Sequence, residues 1–317
     1  MRKNTISATW KSGANRIARF DGSELDDSHP GCRGGQASSL LFASTVSPQD
    51  ESVQLADKMP VSRDRVATGR VHRIGGQDAY LPLLAMNCQV VRTKNFVADA
   101  ANLIVDLAHK TLAERKEFRI ALSGGNTPRP VYFELARVGH DLPWDRILIT
   151  FGDERCVPPD DEQSNFRMAR ESLFVPARVP EKSIMRMRGE IDPQMAAQEY
   201  QDHIDLLATQ RGEQIYQHDL ILLGLGDDGH TASLFPDTSA LDENVRRVVA
   251  NFVPKLNVWR LTFTFPLINH ARQIFFLVNA TKQRKLIQAV LDGDPKYPAS
   301  RVNSAAGEVT WILGQSS

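Results

Sequence analysis

From residue 86 onward the apolar positions follow two alternating patterns, one helical and one of short continuous runs. Between residues 91 and 117, Phe96, Ala100, Leu103, Leu107 and Ala108 recur on one face, which predicts an amphipathic helix. Phe118-Arg119-Ile120-Ala121-Leu122 then reads as a buried strand that stops before Gly124-Gly125. Thr127 and Pro128 have the chemistry of an N-cap and first helical position, and a helix is expected over residues 130–137. Further strands are predicted at residues 147–151, 219–225, 260–264, 274–278 and 309–313. Ser164 is expected to cap a helix running to Leu173. Another helix spans residues 194–209, with Tyr200, Ile204 and Leu207 on its apolar side, and a last one lies between Thr281 and Leu291.

Strands that alternate with helices predict an α/β fold: a mostly parallel sheet covered by helices on both faces, Rossmann-like, in one catalytic domain over residues 86–317. Residues 1–85 lack a sustained apolar period and are rich in Ser, Gly, Asp and Arg. They are expected to form a largely disordered N-terminal extension, because they cannot bury enough apolar surface to offset the entropy of ordering. Arg2, Lys3, Lys11, Arg16 and Arg19, with no acid among the first twenty residues, are compatible with an organellar transit segment. A plain tail, or initiation at Met59 or Met86, fits the same residues.

Charge narrows the partners. Lys plus Arg and Asp plus Glu are equal at 38 each, so no long-range field attracts nucleic acid, and an anionic ligand needs a local cluster of donors. No apolar run approaches the roughly 18 residues of a membrane helix. The three cysteines, Cys32, Cys88 and Cys156, are too few and too scattered for a disulfide framework, and a cytoplasmic protein is expected.

Chemistry concentrates in three loops at predicted strand ends, where α/β folds bind ligands. Ser123-Gly124-Gly125-Asn126-Thr127-Pro128 joins a strand to a helix; paired glycines and a helix start can present backbone N–H groups to phosphate. It lacks the Gly-Lys-Ser/Thr ending of a Walker loop. Gly152-Asp153-Glu154-Arg155 places a carboxylate and a guanidinium where they can meet a hydroxyl and a charged oxygen, although a structural ion pair accounts for the same residues. Ser164-Asn165 downstream reads as a helix cap. In Gly224-Leu225-Gly226-Asp227-Asp228-Gly229-His230-Thr231-Ala232-Ser233-Leu234-Phe235-Pro236, glycine-rich backbone leads to two acids and a histidine. An imidazole suits general-base work on water near neutral pH, with Asp228 as its partner. His218, His270 and His203 read as structural, and no metal-ligand spacing occurs.

Taken together and in order, the three loops resemble the 6-phosphogluconolactonase family, which is grouped with the glucosamine-6-phosphate isomerases and deaminases. The resemblance runs from about Asn87 to Leu313 and includes Arg260-Leu261-Thr262-Phe263-Thr264 and the segment with Lys282. The continuation Thr231-Ala232-Ser233-Leu234-Phe235-Pro236 is the lactonase form; the deaminases continue with Ile-Ala-Phe-Asn-Glu-Pro. Asn126 departs from the Ser usual in the lactonase loop. The resemblance implies hydrolysis of 6-phospho-D-glucono-1,5-lactone, a sugar phosphate lactone, in the oxidative pentose phosphate pathway, with no cofactor or metal. For that reaction the phosphate is expected at Ser123, Gly124, Gly125, Asn126 and Thr127, aided by Arg260 or Lys282. Asp153 would meet sugar hydroxyls, His230 would act as base, and Arg155 with the backbone N–H groups of the Gly226–Gly229 turn would meet the oxyanion. Two competing functions are a sugar-phosphate isomerase or deaminase and a non-catalytic sugar-phosphate sensor; residues 1–80 show none of the paired helices of a DNA-reading sensor.

Overall fold

The computed structural model describes residues 62–65, 88–279, 283–305 and 307–314; the chain divides at Ala56/Asp57, and every described residue belongs to the second part. The basic first twenty residues and Lys282 therefore lie outside the described residues.

The main sheet holds seven strands. In chain order they are β1 (Ser62–Arg65), β2 (Cys88–Thr93), β3 (Phe118–Leu122), β4 (Ile147–Phe151), β6 (Leu220–Leu223), β9 (Gln273–Val278) and β10 (Glu308–Gly314), with β5 (Asp153–Arg155), β7 (Val248–Val253) and β8 (Val258–Phe263) forming a separate sheet. The spatial order is β1-β2-β10-β9-β6-β3-β4, parallel from β2 to β4, with β1 antiparallel at one edge. The helices are α1 (Phe96–Glu114), α2 (Pro128–Val138), α3 (Asn165–Ala169), α4 (Pro193–Gln210), α5 (Phe265–Ile268) and α6 (Arg284–Leu291).

Successive residues of one strand feed opposite cores. Leu220 and Leu222 join α1, α2 and α3 on one face, with Phe96, Ile104, Val131 and Leu173; Ile221 and Leu223 join α4 and the small sheet on the other, with Tyr200, Ile204, Leu261 and Phe263. All four β6 residues are buried. Period-two alternation with both faces covered is why this strand reads as a continuous apolar run. Each such side chain contributes roughly 1.5–3 kcal/mol by leaving water.

The structure revises the sequence expectations at three places. The segment read as the start of the first helix is strand β2 up to Thr93, and α1 begins only at Phe96. Val90 and Val91 are β-branched and pair beside β10, a long-range partner that local periodicity does not reveal. The strand at 260–264 is not in the parallel sheet; β8 lies between β5 and β7 in the three-stranded antiparallel sheet. The N-terminal extension contributes four residues, Ser62–Arg65, as the antiparallel edge strand. Thr127 stands at the N-cap position of α2 with Pro128 at the first helical position, but its side chain makes no capping bond, whereas Ser164 caps α3 by accepting from the Arg167 amide.

Candidate active site

Three strands of the parallel sheet deliver the site at their carboxyl ends. Beyond β3, the buried Tyr132 of α2 clamps Ser123: its hydroxyl accepts from the Ser123 amide at 3.0 Å and donates to the Ser123 carbonyl at 2.8 Å. The loop then turns away with Gly125 at φ 97, a left-handed value that favours glycine. The amides of Gly124, Gly125 and Asn126 donate to no protein acceptor among the described residues. They are donors left for a ligand, beside the start of α2.

Beyond β4, the chain passes Gly152 and enters β5. Antiparallel pairing of β5 with β8 sets Arg155 directly opposite Arg260. Arg155 donates through Nη1 to the Gln163 carbonyl at 2.6 Å. The Arg260 side chain makes no hydrogen bond or ion pair among the described residues; burial, then the neighbouring charge of Arg155, pushes its pKa below the ordinary guanidinium value. Two guanidiniums side by side in a partly desolvated cavity repel one another and are stabilised by an anion between or beside them.

Beyond β6 comes the histidine loop. The Gly226 amide donates to the His230 carbonyl at 2.9 Å and the Gly229 amide to the Gly226 carbonyl at 3.0 Å, closing a tight turn. A side chain at residue 226 would fall inside the His230 ring, so only glycine lets the imidazole lie there. His230 Nδ1 is 2.5 Å from Asp228 Oδ1, and the Phe235 ring stacks on the imidazole with centroids 3.9 Å apart. Lys255, on the turn between β7 and β8, donates to Asp228 Oδ2 at 3.3 Å. Burial opposes ionisation of Asp228, but the hydrogen bonds and charge of His230, joined by Lys255, outweigh it and hold the carboxyl below its ordinary value. An ionised Asp228 fixes the proton on Nδ1 and leaves Nε2 as the ring nitrogen free to take another.

The three loops enclose one cavity of about 460 Å³. It brings together Ser123, Gly124, Gly125, Asn126, Thr127, Asp153, Arg155, Gly226, Asp228, His230 and Arg260, all expected from the sequence. One expectation changes. The Gly226 and Gly229 amides are engaged within the turn, which leaves Asp227 and Asp228 as the residues of the expected Gly226–Gly229 turn whose amides have no protein acceptor among the described residues, and Gly229 is absent from the cavity wall, packed instead against Tyr297. Asp153 is in the wall but nearly buried, with both oxygens already held: Oδ2 accepts from Ser233 Oγ at 2.7 Å and Oδ1 from Asn165 Nδ2 at 3.2 Å. Sequence reasoning missed Lys255, Tyr132 and the stacking role of Phe235. Lys255 sits on a hairpin turn whose strand β7 had no predicted counterpart, and its approach to Asp228 spans 27 residues. His218, read as structural, is fully buried against Thr150, Tyr216 and Phe263. Among the described residues no group of three or more His, Cys, Asp or Glu is arranged to hold a metal ion.

Fold and site together define an α/β enzyme with a histidine–carboxylate pair and two neighbouring guanidiniums in one cavity at the strand ends of a parallel sheet. The chain belongs to the family of glucosamine-6-phosphate isomerases/6-phosphogluconolactonase, whose model matches residues 92–311. It is 44% identical over 209 residues to a 6-phosphogluconolactonase of Synechocystis, covering 65% of this chain and 85% of that protein. Among solved structures, the 6-phosphogluconolactonase of Thermotoga maritima is 29% identical with a TM-score of 0.64, covering 71% of this chain and 99% of the other. That of Trypanosoma cruzi is 32% identical with a TM-score of 0.61, covering 70% and 91%.

Proposed function

We propose that this chain hydrolyses 6-phospho-D-glucono-1,5-lactone to 6-phospho-D-gluconate, with residues 86–317 as the catalytic domain and His230 as general base. The observation that carries the reading is the meeting of the His230–Asp228 pair and the Arg155–Arg260 pair in one cavity beside unpaired loop amides. The lactonase names of the relatives, and the Thr231-Ala232-Ser233-Leu234-Phe235-Pro236 continuation, support the lactone over the amino sugar.

The phosphate docks on the amides of Gly124, Gly125 and Asn126, with Ser123, Thr127 and Arg260 around them. Asn126 is exposed and can donate its side-chain amide as a serine hydroxyl would. Asp153, oriented by Asn165 and Ser233, offers its remaining lone pairs to the sugar hydroxyls. His230 Nε2 takes a proton from water as its oxygen bonds to C1. Arg155 meets the negative charge that develops on the former carbonyl oxygen. When the tetrahedral intermediate collapses, the bond from C1 to the ring oxygen breaks and His230 returns the proton to that oxygen. Asp228 stabilises the imidazolium in between, and Phe235 keeps the ring in plane.

No helix among the described residues is long and apolar enough to cross a membrane, and Cys88 and Cys156 are free thiols. Both agree with action in the cytoplasm; import into an organelle would rest on residues 1–20. The substrate test uses purified protein with lactone generated in situ, followed by NMR, and glucosamine 6-phosphate in parallel. Faster lactone opening without ammonia release is the expected outcome. Ammonia release from the amino sugar, or an unchanged rate with the lactone, would overturn the reading.

A further inference from the structure

We infer that Asn165 is a positioning residue that sets the distance between the phosphate loop and the carboxylate that meets the sugar ring. The inference rests on the proposed docking of phosphate at residues 124–126 and of hydroxyls at Asp153.

Asn165 is 1% exposed and touches both parts of that arrangement. Its Nδ2 donates to the Asp153 carbonyl at 2.9 Å and to Asp153 Oδ1 at 3.2 Å. Its Oδ1 is buried, accepts no hydrogen bond, and lies against Gly124, where any side chain would overlap it. Its own backbone is fixed, because its amide donates to Glu154 Oε1 at 2.7 Å and the next amide, of Phe166, to Glu154 Oε2 at 2.8 Å. One planar carboxamide therefore spans the gap from the Gly124 backbone to the Asp153 carboxylate. Ser233 closes the other side of that carboxylate, and its amide donates to Thr262 Oγ1 at 3.1 Å. The second and third loops are thus tied to a single carboxylate, and the first packs against the residue that holds it. A helix cap alone would need only Ser164 and would place no demand on what stands at 124 or on the side chain of 165.

A rigid spacer between two binding points rewards a substrate that engages both at once. Loss of the spacer should cost the phosphorylated lactone more than its unphosphorylated analogue, which never used the phosphate loop. For Asn165→Ser, kcat/KM on 6-phosphogluconolactone should fall roughly tenfold or more, the scale of one hydrogen bond to a charged group. The rate on D-glucono-1,5-lactone should change far less.

Asn165→Asp provides a second readout that a merely structural residue would not move. It keeps the shape but replaces the donor with a carboxylate facing Asp153. Two carboxylates that close share one proton and cannot both ionise easily. The charged and titratable groups around them are Glu154 and Arg155 on the same strand, Arg260 on β8, and the Tyr132 hydroxyl from α2. A shared proton restores a donor between the two side chains, so the ratio of variant to wild-type kcat/KM should rise as pH is lowered. Taking the ratio cancels pH effects common to both proteins.

Either variant decides the matter if the other fails to fold, as judged by its thermal midpoint. An equal loss on both lactones in Asn165→Ser, or a pH-independent ratio in Asn165→Asp, would overturn the inference. Wild-type protein that opens neither lactone would instead sink the proposed function. Binding of 6-phosphogluconate against gluconate to the same variants would then carry the selectivity test.

Discussion

At residue scale the site depends on pairs whose members control each other. Asp228 holds the proton of His230 on Nδ1, and Lys255 with His230 keeps Asp228 ionised. Asp228→Asn keeps the shape of this contact while removing the charge that stabilises the imidazolium. We expect kcat on the lactone to fall about 10²- to 10⁴-fold with KM little changed, since the carboxylate acts on the base rather than on bound substrate. A kcat near the wild-type value would remove Asp228 from the mechanism. The glycines at 124 and 226 belong to the same logic: each is small so that a neighbour, Asn165 or His230, can occupy the space a side chain would take. From the sequence both can be read as turn formers, but the close approach appears only when the partner is in place.

At the scale of elements, β6 shows how one strand serves both stability and chemistry. Its apolar run is legible because period-two alternation with two covered faces leaves no polar position. Its entry is marked by His218, whose Nε2 lies 2.9 Å from Thr150 Oγ1 on β4 while Nδ1 is buried without a partner. Burial, then the charges of Arg119 and His270, pushes the His218 pKa down from 6.5 to about 3. In the unfolded chain this histidine takes up a proton below about 6.5. The unfolded state then binds more protons than the folded one, so this contribution to stability is complete above that pH and is lost as pH falls toward 3. Thermal midpoints measured from pH 7 to 4 should decline more steeply for wild type than for His218→Gln. Parallel slopes would contradict the assignment. Among the elements the sequence left illegible, β2 and the placement of β8 beside β5 depend on partners far along the chain, such as Val309 opposite Cys88 and Arg260 opposite Arg155, whereas β7 pairs with the adjacent β8 across a short turn. Local propensity carries no information on such pairings.

At the scale of the whole molecule, the three strand-end loops, taken in order, carry most of the residues that line one cavity, while Lys255 joins the wall from elsewhere and Gly229 falls outside it. The parallel sheet brings β3, β4 and β6 side by side, so loops separated by about a hundred residues converge. The small antiparallel sheet completes the wall from the other side by bringing Arg260 beside Arg155 and the Lys255 turn over Asp228. That second layer was not legible, and it supplies much of the positive charge that an anionic substrate meets. A chain with balanced formal charge can thus hold a phosphorylated sugar acid, because cations are concentrated locally while the net field stays small.

If His230 activates water at C1, wild type and His230→Ala will differ on lactone generated in situ. Both rates are set against spontaneous opening by NMR, and 6-phosphogluconate binding is measured alongside. Wild type is expected to accelerate opening, His230→Ala to be slower by about 10²- to 10⁴-fold, and binding to be nearly unchanged. Near-normal turnover by His230→Ala would contradict this and move the base to another group in the cavity.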